Sequence, residues 1–175
     1  MSWQIDRSHS SVRFSVRHLM FAKVHGRFRD FDAKVELDGE RPVAVEAQIR
    51  VASVDTDEPA RDTHLRSADF FDADTHPLMT FRGENAREQG AGRYTLEGQL
   101  TIRGTTRPVT LQLESLGRAR DPWGNDRVAF TATTQIDRRE FGLTWNQALE
   151  TGGVIVGDRV DISLEVQAVP VRVAA

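Results

Sequence analysis

The residues best suited to metal chemistry lie in one short segment of the chain. His64 and His76 carry imidazoles, and four aspartates accompany them: Asp62, Asp69, Asp72 and Asp74. Imidazole and carboxylate groups together suit zinc or a similar ion. The spacing matches no standard ligand signature, however, and aspartates around a short helix usually cap it or form turns. We therefore expect that the protein needs no metal.

Residue types of a catalytic triad occur close to the N-terminus. Asp6, Ser8, His9 and Ser10 follow one another too closely along an extended segment to converge on a substrate by themselves. The sequence also lacks the G-x-S-x-G elbow, the Walker loop and the G-x-G-x-x-G loop. We therefore expect that the protein is not an enzyme of any of these motif classes.

The composition of the chain limits the kinds of partner that the protein is expected to bind. The 175 residues include 23 basic and 26 acidic side chains and no cysteine, which excludes disulfides and gives no basic excess for binding nucleic acid. No apolar run approaches the ~20 residues of a membrane span, and the first residues do not resemble a signal peptide. We expect no membrane span and a cytoplasmic location, or a periplasmic one if a signal peptide was removed.

The elements that must position these side chains are mostly strands. Apolar and polar residues alternate over 12–16, 43–51, 94–102, 109–113, 128–136 and 160–168, as in antiparallel strands with one buried face. The segment 23–37 also alternates, but its apolar positions change from even to odd near Arg29 and Asp30, which predicts a bulge there. A shorter strand is predicted over about 77–84.

Residues 57–74 are the exception, because their spacing predicts a short helix. Pro59 stands near its start, and apolar residues recur at helical intervals up to Phe71. Asp62 and Arg66 are one turn apart and could pair across a helix face. Leu65, Phe70 and Phe71 would then pack over one end of the sheet, either as a stabilising cap or as a lid.

About eight strands with one apolar face are best accommodated by closing the sheet into a barrel. We therefore predict one all-β domain over residues 1–175, an antiparallel eight-stranded barrel with one short helical segment. Large residues face its interior, but so do small ones: Gly26, Ala47, Gly83, Gly98 and Ala132. The small residues either leave a narrow apolar tunnel or only allow the strands to bend and taper.

Several motifs together resemble the YceI-like family. They include the opening residues from Trp3 to Ser10, Phe14 to Leu19, and Val24 to Phe28. The stretch Arg61–Asp72 looks like the most distinctive part of that family, and Leu100–Thr106 and Arg138–Gly142 complete the likeness. The motifs occur in the family's order and span nearly the whole chain.

The resemblance implies an extended, lipocalin-like barrel that binds a polyisoprenoid or similar long amphiphilic chain inside it, as carrier, store or shield. It implies no other cofactor, although a bound polyisoprenoid or an isoprenoid quinone-like lipid would fit, and it allows a homodimer, since some members are dimers. From the inward pattern we expect these residues to contact the ligand: Phe14, His18, Phe28, Phe70, Phe81, Leu100, Leu111, Phe130, Ala132, Phe141 and Trp145.

Alternatives remain open at the sequence level. His18 could contact a ligand head group at the mouth of the barrel, or it could be a strand-end histidine hydrogen-bonded to backbone. The protein could also be an enzyme acting on an isoprenoid lipid, with His18 or His64 as acid–base groups. A third alternative is a structural barrel whose core is filled.

Overall fold

The computed structural model describes residues 1–150 and 152–172. These residues form twelve strands and one α-helix, α1 (Pro59–Arg66). The strands are β1 (Ser2–Ile5), β2 (Ser11–His18), β3 (Ala22–Phe28), β4 (Phe31–Asp38), β5 (Arg41–Arg50), β6 (Val54–Asp55), β7 (Leu78–Glu84), β8 (Arg87–Gly90), β9 (Arg93–Ile102), β10 (Thr105–Arg120), β11 (Asp126–Asp137) and β12 (Val156–Pro170).

Several of these strands are halves of one longer strand. β1 and β2 are separated by the 3-10 turn Arg7–His9 and both pair with β12. Likewise β4 pairs with β1 and β3 with β2, while β7 and β8 both pair with β9. Eight long antiparallel strand positions result, and the pairing of β12 with β1 and β2 closes them into a barrel. The predicted eight-stranded barrel with one short helix is confirmed.

The predicted change of alternation also has a structural counterpart. β3 ends at Phe28 and β4 begins at Phe31, and both phenylalanines are buried. Arg29 and Asp30 between them keep backbone hydrogen bonds to Ser53 and Arg50. The two-residue break therefore resets the alternation, so that both halves of the long strand present their apolar residues to the interior.

One end of the barrel, the base, is filled with side chains. Here β10 and β11 meet at Arg120 and Asp126, and the chain begins. Six buried residues form what we call the basal cluster: Trp3, Val35, Leu37, Val128, Phe130 and Ala168. The opposite end, the helix end, carries α1, the β2–β3 hairpin and the segment between β11 and β12.

Helix α1 lies within the predicted 57–74 segment but is shorter. The Asp62 carboxylate is buried and accepts hydrogen bonds from the Thr56 amide (2.9 Å) and hydroxyl (2.5 Å). Arg61 donates to the same threonine, at its hydroxyl and its carbonyl oxygen (both 2.7 Å). The predicted pairing of Asp62 with Arg66 is therefore wrong, because Asp62 faces inward and its oxygen is used by Thr56. These bonds fix α1 to the turn that follows β6.

Candidate ligand cavity

Above the basal cluster the barrel encloses a cavity of about 240 Å³. Apart from Ser11, Arg13, Asp32, Thr134 and Arg138, all residues of its wall are apolar. The volume is close to the lower end of the ~300–1,000 Å³ typical of small-molecule sites. A void of this size and polarity distinguishes this protein from a barrel whose interior is filled by its own side chains.

The cavity is long as well as narrow. On β12 alone its wall runs from Val156 to Val166, through Val160, Ile162 and Leu164. At ~3.3 Å per residue, ten residues of strand span roughly 30 Å. The shape therefore suits an extended chain better than a compact molecule.

Some residues of the cavity wall are only partly buried, as expected for side chains that face an internal void. Val45, Ala47 and Ile49 alternate along β5 with polar residues and line the cavity, but they are only half-buried. Tyr94, Leu96 and Leu100 on β9 alternate in the same way, and all three are buried. The β5 face of the interior is thus the less completely packed one.

Three of the small inward residues do not create this space. A methyl group added at Gly26 would lie 2.3 Å from the Phe14 ring, and one at Gly98 would lie 2.3 Å from the Phe81 ring. At Gly83 the neighbouring contacts are Leu96 and Phe81, at 3.0–3.1 Å. Each glycine therefore accommodates a side chain from a neighbouring position. Of the five small residues named from the sequence, Ala47 alone lies in the cavity wall.

Seven of the residues expected to contact ligand line the cavity: Phe14, Phe28, Phe70, Phe81, Leu100, Leu111 and Phe141. Phe130 lies in the basal cluster instead. Ala132 faces inward as predicted but is packed between Leu113 and Leu164 and is only 2% exposed. His18 is exposed at the end of β2. Phe130 and Ala132 lie outside the cavity wall because the void occupies only part of the interior, whereas His18 lies outside it because it is at the exposed end of its strand.

Trp145 also lies outside the wall. Its ring packs against the rings of His64 and Phe70, at centroid distances of 4.7 and 5.4 Å. His64 Nε2 is in turn 2.8 Å from the Asp69 carboxylate. Phe70 then forms part of the cavity wall beside Leu65 and Phe71. This aromatic group covers part of the helix end, so the 57–74 segment lies over the cavity as expected.

Many wall residues are not among those expected from the sequence, including seven aliphatic residues of β2 and β12. These seven are Val12 and Val16 on β2, and Val156, Val160, Ile162, Leu164 and Val166 on β12. Alternation already placed most of them inward. What the alternation lacked was any sign of how far the void extends along each strand: on β11, Thr134 and Ile136 line it, whereas Phe130 and Ala132 do not.

The one deeply buried cation at the cavity is Arg138, among the residues that the structure describes. Its guanidinium donates to four backbone carbonyls: those of Leu143 (2.6 Å), Gly157 (2.8 Å), Trp145 (2.9 Å) and Val156 (3.3 Å). Burial lowers the pKa of Arg138, partly offset by Asp158 at 3.7 Å. With its donors engaged in this way, Arg138 holds the segment after β11 against β12.

The triad-type residues near the N-terminus form a turn. The Asp6 carboxylate accepts from the Ser8 amide (3.1 Å) and hydroxyl (2.7 Å), and its second oxygen is 2.8 Å from His9 Nδ1. Ser8 Oγ approaches that same ring nitrogen, at 3.2 Å. A histidine relay needs its two nitrogens to serve different partners, so this arrangement caps the turn rather than activating the serine.

Asp6 also fixes β11 to the N-terminal strand. Arg127 donates to Asp6 (2.6 Å) and to Asp121 (3.1 Å). This bond from Arg127, with that from Ser8, lowers the pKa of the Asp6 carboxyl well below its ordinary range. A carboxyl whose pKa is lower in the folded state stabilises the fold above the unfolded pKa of ~3.9, and that contribution is lost as the pH falls toward the folded pKa.

We therefore expect Asp6→Asn to be less stable than the wild type at pH 7. The difference in melting temperature should shrink as the pH is lowered from about 5, because the wild type loses the same contribution on protonation. Asp74→Asn is the control, since this exposed carboxylate accepts no side-chain hydrogen bond within the described ranges. The melting temperatures of the three proteins, measured across the pH range, test this expectation. A difference between the wild type and Asp6→Asn that does not change with pH would contradict it.

Among residues 1–150 and 152–172, no three His, Asp or Glu side chains come together as ligands for a metal ion. His64 contacts Asp69, whereas His76 lies beside Gly104 of the β9–β10 turn. In the same ranges, no helix has the length and apolarity needed to cross a bilayer.

Together, the closed barrel and its cavity define a class: an eight-stranded antiparallel barrel with a long apolar cavity inside it. The chain belongs to the YceI-like family, whose domain model matches residues 3–168. A UPF0312 protein of Ectopseudomonas mendocina is 37% identical over 146 residues, which are 81% of this chain and 76% of the relative.

Solved structures have the same architecture. BcnA of Burkholderia cenocepacia superposes with a TM-score of 0.81 at 25% identity, over 93% of this chain and 98% of that one. A polyisoprenoid binding domain from Saccharophagus degradans gives a TM-score of 0.69 at 14% identity, over 96% of this chain and 98% of the other. At that identity the second likeness shows the fold alone.

Proposed function

We propose that this barrel binds one long apolar lipid chain, an isoprenoid or a similar amphiphile, and holds it out of water as a carrier, store or shield. The observation that carries the proposal is the cavity, an apolar void whose wall follows β12 for roughly 30 Å. The polyisoprenoid binding domain of Saccharophagus degradans, which shares the fold, supports the choice of lipid class.

The energetics favour binding by burial alone. Each CH₂ transferred from water into the cavity contributes ~0.8 kcal/mol before the costs of association. A chain of ten such groups therefore gains about 8 kcal/mol without any ionic contact. Such a site discriminates by length and flexibility, so affinity should rise with each added isoprene unit and level off once the chain exceeds the cavity.

Binding fits the site better than turnover. The wall contains one carboxylate, Asp32, and its only deeply buried charged group is Arg138, whose donors are engaged by carbonyls. His18 lies outside the wall, and the ring of His64 contacts Asp69, Phe70 and Trp145. The family and its structural neighbours are likewise consistent with a binding protein.

The direct test is to identify what the protein carries. The purified protein is extracted with organic solvent, and the extract is analysed by mass spectrometry beside that of Ala47→Trp, which places an indole in the cavity wall. We expect a prenyl or similar long-chain lipid at close to one molecule per barrel from the wild type, and its loss from the variant. The same lipid in both extracts, or none from the wild type even after incubation with a prenol series, would contradict the proposal.

A further inference from the structure

The β2–β3 hairpin ends in a turn that its sequence does not favour. Phe21 donates its amide hydrogen to the His18 carbonyl (3.1 Å), closing a two-residue turn over Leu19 and Met20. Both residues have positive φ, 52° and 65°. A two-residue turn of this kind is usually Asn-Gly, because large side chains are strained in that conformation. Local folding preference thus does not account for Leu19 and Met20.

Packing does not account for them either. Leu19 is 38% exposed, Met20 55% and Phe21 85%, so three large apolar residues in succession face water. Strained backbone combined with exposed apolar side chains is retained at functional sites more often than elsewhere. The strain and the exposure of this hairpin tip together favour a role in contacting a partner outside the barrel.

The tip of the hairpin lies at the helix end of the barrel, where residues next to the hairpin turn line the cavity. Val16, two residues before His18, lines the cavity, and so does Val156, which pairs with His18. The Leu19 amide donates to the Ile155 carbonyl (2.8 Å) and anchors the tip to the segment before β12. Four residues of chain, about 13 Å at strand spacing, separate Val16 from Met20. The tip therefore projects beyond the cavity on the same side of the molecule.

The charge of the hairpin indicates the chemistry of the partner. Between Ser11 and Phe28 there is no Asp or Glu, but there are four cations, Arg13, Arg17, Lys23 and Arg27, in a chain whose net charge is −3. Two of the cations have acidic neighbours: Lys23 lies 3.8 Å from Asp161, and Arg27 lies 3.6–3.7 Å from Asp55 and Asp57. An apolar tip with a basic stem matches a bilayer surface that carries anionic lipids.

We propose that residues 19–21 insert into the headgroup region of an anionic membrane and dock the helix end of the barrel on it. A three-residue convex tip covers far less than the ~800 Å² per partner of a stable protein interface, whereas a bilayer accepts an apolar tip of any shape. The proposal goes beyond the function proposed above, because docking concerns the outer surface and does not depend on what fills the cavity.

The test is flotation of the protein with vesicles of phosphatidylcholine alone, and of phosphatidylcholine and phosphatidylglycerol in equal parts. We expect the wild type to bind the anionic vesicles more tightly than the neutral ones, and less so at high salt. Leu19→Asn with Met20→Gly gives the turn its preferred residues, so the variant should fold well and yet lose at least tenfold in vesicle affinity. Phe21→Ser should lose as much.

The matched control is Trp123→Ser. Trp123 is 81% exposed in the β10–β11 loop, at the base of the barrel, so its removal should leave vesicle binding unchanged. The proposal is overturned if the wild type does not float with anionic vesicles, or if Trp123→Ser weakens binding as much as the tip variants do. It is also overturned if the tip variants convert a dimer to a monomer in light scattering, which would make this surface a contact between two copies.

The proposal of lipid binding and the proposal of membrane docking can be overturned independently of each other. Ala47→Trp should float like the wild type although it no longer carries lipid, and the Leu19→Asn, Met20→Gly variant should retain a cavity that binds a soluble prenyl probe. Loss of flotation in Ala47→Trp would show that docking requires a loaded cavity and would overturn the proposal that docking is independent of what fills the cavity.

Discussion

Ala47→Trp should abolish lipid binding and leave the fold intact. Ala47 lies in the cavity wall on β5, where it pairs with Ala33 and Phe81. An indole at this position would extend into the void and exclude part of the chain. Exclusion of four CH₂ groups at ~0.8 kcal/mol each costs about 3 kcal/mol, or at least 100-fold in Kd. Titration with a fluorescent prenyl probe measures the affinity, and thermal unfolding measures the fold.

The control for this variant is the same substitution at a second inward alanine. Ala132→Trp places the indole between Leu113 and Leu164, at a buried position outside the cavity wall, and overpacking of this kind costs ~1–3 kcal/mol or more. We expect Ala132→Trp to melt well below the wild type, and Ala47→Trp to melt close to it. If Ala47→Trp unfolds, or binds the probe at full affinity, the chain does not pass Ala47.

Arg138→Met should be among the most destabilising single substitutions in this protein. Methionine fills much of the same space but leaves the carbonyls of Leu143, Trp145, Val156 and Gly157 without their donor. An unsatisfied buried polar group costs ~1–3 kcal/mol, and even partial rescue by water leaves an expected loss of about 3 kcal/mol or more. Urea denaturation gives the change in the free energy of unfolding.

The neighbouring residue provides a matched control. Arg139 is exposed, and its guanidinium pairs with the Asp137 and Asp158 carboxylates instead of backbone carbonyls. Exposed ion pairs add little to stability, so Arg139→Met should unfold close to the wild type. Equal losses in the two variants would mean that Arg138 acts through its charge and not through the four carbonyls.

The architecture of this protein was largely predictable, because period-two alternation is a local geometric property. The alternation placed Val160, Ile162 and Leu164 on the inner face of β12. It also located the break at Arg29 and Asp30, because the apolar positions change there from even to odd residue numbers. Each of these inferences depends only on neighbours in sequence, which is why they hold without knowledge of the partner strands.

The location of the void was not predictable in the same way. Ala47 and Ala132 are both small and inward, but one faces open space and the other is packed by side chains on neighbouring strands. Gly26 and Gly98 are also small and inward, but the rings of Phe14 and Phe81 occupy the space beside them. The hydrogen-bond partner of Asp62 was not predictable for a related reason. Thr56 precedes the helix, and the rule that residues one helical turn apart can pair applies only within a helix.

The basal cluster has a consequence for how the proposed lipid would be held. Because Trp3, Leu37 and Phe130 close that end, the tube is blind, with Val35 and Val166 near its floor. A chain threaded into a blind tube stops at a fixed depth, and whatever is longer stays outside. The barrel would then measure its cargo by the length that protrudes, and the terminus that went in first would come out last.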